Sequence, residues 1–254
     1  MPTSRTSSRK PLLYAAGVAV AAITLGLVSW QATAPKGGAH RPAASAGASP
    51  SASASASASD SDEPDAFAEL KALARREAGD KLAVGRTDAP VVLIEYSDFK
   101  CGYCAKFARD TEPELVKKYV ADGTLRIEWR NFPIFGAESE AAAKAAWAAG
   151  QQDRFTAFHA AAYAEGAKAK GFGEDRLVEL AREAGVPDLD RFKADMGGEQ
   201  AAAALRRDRE EGYRIGVQST PSFLVNGQPI AGAQPLDAFT AAITRAQAQA
   251  KAGR

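Results

Sequence analysis

A Cys-x-x-Cys pair set between a buried-strand pattern and a helix pattern leaves this chain few folds. The run "VVLIEY", Val91 to Tyr96, is continuous, largely apolar and rich in β-branched residues, and Pro90 opens it. Such a run reads as a strand covered on both faces, as in a parallel or mixed sheet. Cys101 and Cys104, the only two cysteines, follow it, and a helical pattern then runs from Ala105 to Val120. "GTLRIEWRNF" supplies a second strand with Leu125, Ile127 and Trp129 alternating, which completes a β-α-β unit.

The thiols admit several uses. A structural zinc needs four ligands, and the other candidates, His40 and His159, lack the spacing of a second pair. A c-type haem needs His directly after the second Cys, where Ala105 stands. A staple closing so short a loop constrains the unfolded chain little. A reagent remains. At a helix start, unpaired N–H groups and the helix dipole stabilise a thiolate on Cys101, and Lys100 adds a nearby positive charge. Cys104, a turn further in, is placed to form a disulfide with Cys101. No metal is expected.

From Ser139 to about Gly216 the pattern is almost wholly helical, broken by Gly and Pro. "PSFLVNGQPIAG" reads as a hairpin, because Asn226-Gly227 suits a type I′ turn, and Pro229 marks its second strand as an edge. "PLDAFTAAITRAQAQ" closes with an amphipathic helix. Before all this, "DEPDAFAELKALARREAG" predicts a helix opened by Pro64, with Phe67, Leu70, Leu73 and Ala74 on one face.

The N-terminus has a different character. After Arg5, Arg9 and Lys10, the uncharged run Leu12 to Trp30 is long enough to cross a bilayer of roughly 30 Å as a helix. Ala32-Thr33-Ala34 has the form of a cleavage site, but Pro35 hinders cutting there, and secretory apolar cores are shorter, about 7–15 residues. The expectation is a cytoplasmic tail (1–10), an uncleaved anchor (11–30) and an extracytoplasmic remainder. Residues 31–63, rich in Ala, Ser and Pro, bury too little surface to offset ordering entropy and read as a disordered tether. A formal net charge of +1, with both signs interleaved, gives no basic field for nucleic acid.

With these residues in place, the chain from about Gly85 onward resembles the DsbA-like branch of thioredoxin-fold thiol–disulfide oxidoreductases, in a membrane-anchored bacterial form. The likeness rests on "DAPVVLIEYSDFKCGYC", on the helical block and on "STPSFLVNG". It implies an α/β thioredoxin fold over 64–254 with an inserted helical subdomain at about 134–215. It implies a cis-proline at Pro221 facing the cysteines, with Thr220 beside bound substrate. It implies that Glu95, a carboxylate costly to bury without a task, relays protons to Cys104. Gly102 and Tyr103 tune the thiolate; the best-known oxidases carry Pro-His there, whereas Gly-Tyr is familiar from disulfide isomerases. The expected activity is disulfide formation in secreted or membrane proteins, without a cofactor, recharged by a membrane redox partner. The alternatives are an isomerase or reductase, and a non-catalytic thioredoxin-fold chaperone or binding module.

Overall fold

The computed structural model describes residues 67–252. The expected tail (1–10), anchor (11–30) and tether (31–63) lie outside the described residues, as does Pro64. Among the described residues no helix is long and apolar enough to cross a membrane.

Among the described residues five strands form one mixed sheet: β1 (Ala83–Val84), β2 (Val91–Ser97), β3 (Leu125–Asn131), β4 (Ser222–Val225) and β5 (Gln228–Ala231), ordered β1-β3-β2-β4-β5. β2 and β3 run parallel, with Glu95 opposite Trp129, and every residue of β2 is buried. β4 lies antiparallel on its other side, with Glu95 opposite Phe223. The sequence pattern missed β1, because two residues at an edge carry no periodicity. At the hairpin, Asn226 (φ 46°) and Gly227 (φ 88°) both take the left-handed conformation that a type I′ turn needs. A side chain on Gly227 would also strike the backbone of Phe67 and Lys71. Asn226 ties this turn to the start of β2, accepting from the N–H of Val92 at 2.8 Å.

The helices are α1 (Ala68–Lys71), α2 (Gly102–Asp110), α3 (Glu112–Leu115), α4 (Ala137–Gly150), α5 (Phe155–Ala162), α6 (Glu174–Glu183), α7 (Leu189–Gly197), α8 (Glu199–Arg214) and α9 (Leu236–Ala252). A π turn, Val116–Val120, extends α3, and a 3-10 turn, Ala167–Lys170, follows α5. Helices α4 to α8 fall between β3 and β4. The helix expected over Ala105 to Val120 begins earlier, at Gly102, and is interrupted. Thr111, at φ −111°, turns the chain before Pro113, which supplies no N–H to the first turn of α3.

The N-terminal helix is a single turn instead of the longer one expected. Its would-be continuation is diverted by a buried carboxylate. The N–H groups of Arg75 and Arg76 donate to Glu128 Oε2 and Oε1 at 3.0 and 2.8 Å, and Arg76 sits at φ 50°. Glu128 belongs to the charged face of β3, where Arg126 and Arg130 are buried beside it. Arg130 Nη2 and Arg126 Nε reach its two oxygens at 2.8 and 2.9 Å. Glu211 of α8 takes Arg130 Nε at 2.9 Å, and Asp208 takes Arg75 at 2.7 Å. The alternation of β3 therefore separates an apolar core face from a buried ionic face, not core from solvent.

On the apolar side, Val91, Leu93, Leu125 and Ile127 pack against Phe107 and Leu115 of the α2–α3 layer and Phe239 of α9. A second core joins Phe99, Cys104 and Trp129 to the alanines of α4 and to Phe158 and Tyr163. The inserted helices thus share a core with the cysteines.

Candidate active site

The loop from β2 into α2 is built around Asp98. Its buried carboxylate accepts from the N–H of Lys100 at 2.7 Å, of Ile134 at 2.7 Å and of Phe135 at 3.2 Å. Its carbonyl accepts from Cys101 N at 3.0 Å. One side chain thereby fixes the cysteine loop against the segment leaving β3. Asp98 went unremarked in the sequence because a loop Asp is ordinary until both sides of the loop are seen.

Cys101 caps α2. Its sulfur accepts from Cys104 N at 3.3 Å, and its S–H donates to the carbonyl of Thr220 at 3.2 Å. Both cysteines are free thiols here. Hydrogen bonding from Cys104, with help from Thr220 and from the N–H groups of Cys104 and Tyr103, holds the Cys101 thiol down at about 6, against burial. Cys104 is sealed completely, and burial first, then the Cys101 sulfur, pushes its thiol far up. The two thiols are set apart by environment alone.

The Thr220–Pro221 bond is cis and meets the Cys101 end of α2. Glu95 is fully buried on the central strand, and neither carboxylate oxygen has a hydrogen-bond partner among the described residues. Burial, followed by the charge of Glu112, pushes it well above the ordinary range. Tyr103 stands 70% exposed at the rim. Gly102 leaves room there, since a Cβ on it would lie 3.9 Å from Lys168 Nζ of the 3-10 turn. Lys100 departs from expectation. Its ammonium reaches Glu138 Oε2 at 2.7 Å, so its charge is spent on an ion pair with α4.

Trp129 and His159 are core residues, as their surroundings require. His159 stacks edge-on against Trp129 at 4.6 Å, and burial holds its imidazole down to about 3. Below the cysteines, Ser97 Oγ meets Tyr163 Oη at 3.3 Å, while the Tyr163 ring stacks on Phe99 at 5.0 Å. Glu112, half-buried and near enough for its charge to raise Glu95, is the other group the sequence did not disclose, because a Glu before Pro113 reads as an ordinary helix start.

A family model described as thioredoxin matches residues 77–245. A probable disulfide bond formation protein D of Bacillus anthracis is 30% identical over 151 residues, covering 57% of this chain and 69% of that protein. The chain belongs to the DsbA-like thiol–disulfide oxidoreductases of the thioredoxin family. Solved structures agree with the fold. A thioredoxin-like oxidoreductase from Silicibacter pomeroyi DSS-3 matches with a TM-score of 0.58 and 29% identity, over 66% of this chain and 96% of that one. Oxidised BdbD from Bacillus subtilis matches with a TM-score of 0.61 and 24% identity, over 66% and 93%. As a thiol–disulfide oxidoreductase, this enzyme works through a redox-active cysteine pair, which supplies the electron chemistry itself.

Proposed function

We propose that the chain is an oxidase that forms disulfides outside the cytoplasm, with Cys101 as the attacked sulfur and Cys104 as its resolving partner. In the disulfide form a substrate thiolate attacks Cys101 Sγ, the Cys101–Cys104 bond breaks, and Cys104 leaves with the electron pair. Glu95 supplies the proton that Cys104, so heavily desolvated, requires. A second substrate thiolate then attacks the substrate sulfur of the mixed disulfide and expels Cys101 as a thiolate. Two substrate thiols become a disulfide, and the cysteine pair holds the two electrons.

The observation that carries this reading is the Cys101 thiol, held down to about 6. A stabilised thiolate is a good leaving group and favours the reduced pair, so its disulfide tends to oxidise others. Ser219 and Ser222, on either side of Thr220-Pro221, line a groove of about 310 Å³ together with Leu70, Ile215, Val217, Phe223 and Ile230. An extended apolar peptide segment suits it. Gly102 and Tyr103 act at the rim, where Tyr103 offers an exposed ring to the substrate, while Lys100 beside them is held by Glu138. The uncharged run from Leu12 to Trp30 and the tether after it support an anchored enzyme recharged by a membrane redox partner, which a leash would meet repeatedly.

The test uses the full-length chain. Its disulfide form should oxidise a reduced peptide stoichiometrically and unscramble ribonuclease poorly. Efficient unscrambling with weak oxidation would instead favour the isomerase that Gly102-Tyr103 brings to mind.

A further inference from the structure

A sealed acid cannot exchange its proton with water unaided, and Glu95 is sealed. It lies two residues after Leu93 on β2 and so shares its face, which puts the side chain on the apolar side of the sheet, toward the α2–α3 layer. Glu112 opens α3 in that layer. It is only partly covered, 18% exposed, and it faces a cavity of about 240 Å³. That cavity is lined by Ile127 and Trp129, the latter being the cross-strand neighbour of Glu95, and by Phe155, His159 and Ala160 of α5. At roughly 30 Å³ per molecule, it has room for several waters. His159 Nδ1 lies 3.7 Å from Glu112 Oε2, beyond a direct hydrogen bond, on the wall of the same cavity. Glu112 is thus the carboxyl group that joins the sealed interior to a space water can enter.

We infer that Glu112 is a positioning residue for the thiol chemistry: it passes protons between Glu95 and the cavity, so that Glu95 can serve Cys104. The inference rests on Glu95 exchanging its proton with Cys104. When the reduced pair is oxidised, Cys104 must lose its proton before its sulfur can attack the mixed disulfide on Cys101. Glu95 can take that proton only as a carboxylate, so its own proton must first leave, to Glu112 and then to cavity water. In the opposite direction, reduction leaves Glu95 anionic beside the Cys101 thiolate. Two anions in one apolar site repel, and a proton returns from the cavity through Glu112. No electrons move in either transfer.

The groups facing this path are Cys101 and Cys104 of the α2 end, Ser97 of β2, His159 of α5 and Tyr163 just after it. His159 is neutral near pH 7, because burial holds it down to about 3. Glu112 is pushed by burial to about 7, which suits a group that both takes and gives a proton near neutrality.

The experiment follows closure of the Cys101–Cys104 disulfide in the full-length reduced chain after addition of oxidised glutathione. The Cys101–glutathione mixed disulfide is quantified by mass as a function of pH. Glu112→Gln should slow closure on the order of a hundredfold, accumulate the mixed disulfide and remove the inflection near neutral pH; Glu112→Asp should restore much of the rate. Glu95→Gln should also accumulate the mixed disulfide. If Glu95→Gln is slow while Glu112→Gln closes with the parent rate and pH profile, the relay is overturned and the role of Glu95 stands. If Glu95→Gln itself closes normally, the reading on which the relay rests has failed. Should Glu112→Gln not fold, Ala160→Leu at the exposed rim of the cavity decides: slower closure supports the path, and unchanged closure overturns it.

Discussion

Cys101 Sγ and the carbonyl of Thr220 lie 3.2 Å apart across 119 residues of sequence. The contact joins the start of α2 to the segment entering β4, and so brings the cysteine end of α2 against the cis Thr220–Pro221 bond.

The first expectation concerns the two thiols. Cys101 should alkylate well below the pH at which a free thiol reacts, with half-reaction near its value of about 6. Cys104, fully buried, should remain unmodified until the protein unfolds. Peptide mass mapping after brief iodoacetamide treatment checks both. Cys104→Ser should trap substrates as mixed disulfides visible on non-reducing gels.

A second expectation separates two neighbouring charges. Lys100→Ala should leave the Cys101 titration nearly unchanged and cost about 0–1 kcal/mol of stability, because its ammonium is committed to a half-exposed pair with Glu138. A shift of a full unit in the thiolate absorbance titration would show that Lys100 acts on the sulfur after all.

The third concerns Asp98. Asp98→Ala strands the N–H groups of Lys100, Ile134 and Phe135. Leaving buried donors unpaired costs about 1–3 kcal/mol each where water cannot replace the partner. Thermal melts should fall accordingly, and the oxidation rate should drop with them as the cysteine loop loosens.

Acid stability supplies the fourth. Burial raises Glu128, but hydrogen bonds from Arg130 and Arg126 prevail and hold it at about 2, below the ordinary 4.5. A depressed carboxylate contributes fully above its unfolded value and loses that contribution as pH falls toward its folded one. Denaturant midpoints should therefore decline between about pH 4.5 and 2. Glu128→Gln should flatten that decline while costing about 3–5 kcal/mol at neutral pH, since it leaves buried guanidinium groups underpaired. An unchanged slope would remove Glu128 from the acid transition.

The central strand, the cysteine junction and the Asn226-Gly227 hairpin were legible because each is written locally: an apolar run, a spacing, a turn dipeptide. What stayed hidden depends on partners distant in sequence. The charges of β3 look like a solvent face until Arg75, Asp208 and Glu211 close over them. That same network stops the helix after Lys71, which no local propensity foretells. Lys100 looked like a thiolate partner because sequence distance was the only measure; Glu138 lies 38 residues on and has the stronger claim. Glu112 comes within reach of Glu95 electrostatically after the chain turns at Thr111, a relation no local pattern records.

The edges of the sheet carry one more consequence. β1 is two residues long, and β5 is four with Pro229 among them. Such edges offer almost no ladder of free donors and acceptors. An enzyme that handles unfolded chains risks becoming a template on which they stack. In the oxidase proposed above, a client held beside Thr220 would find, among the described residues, no long edge strand along which to extend its grip, so release would be favoured by the same brevity.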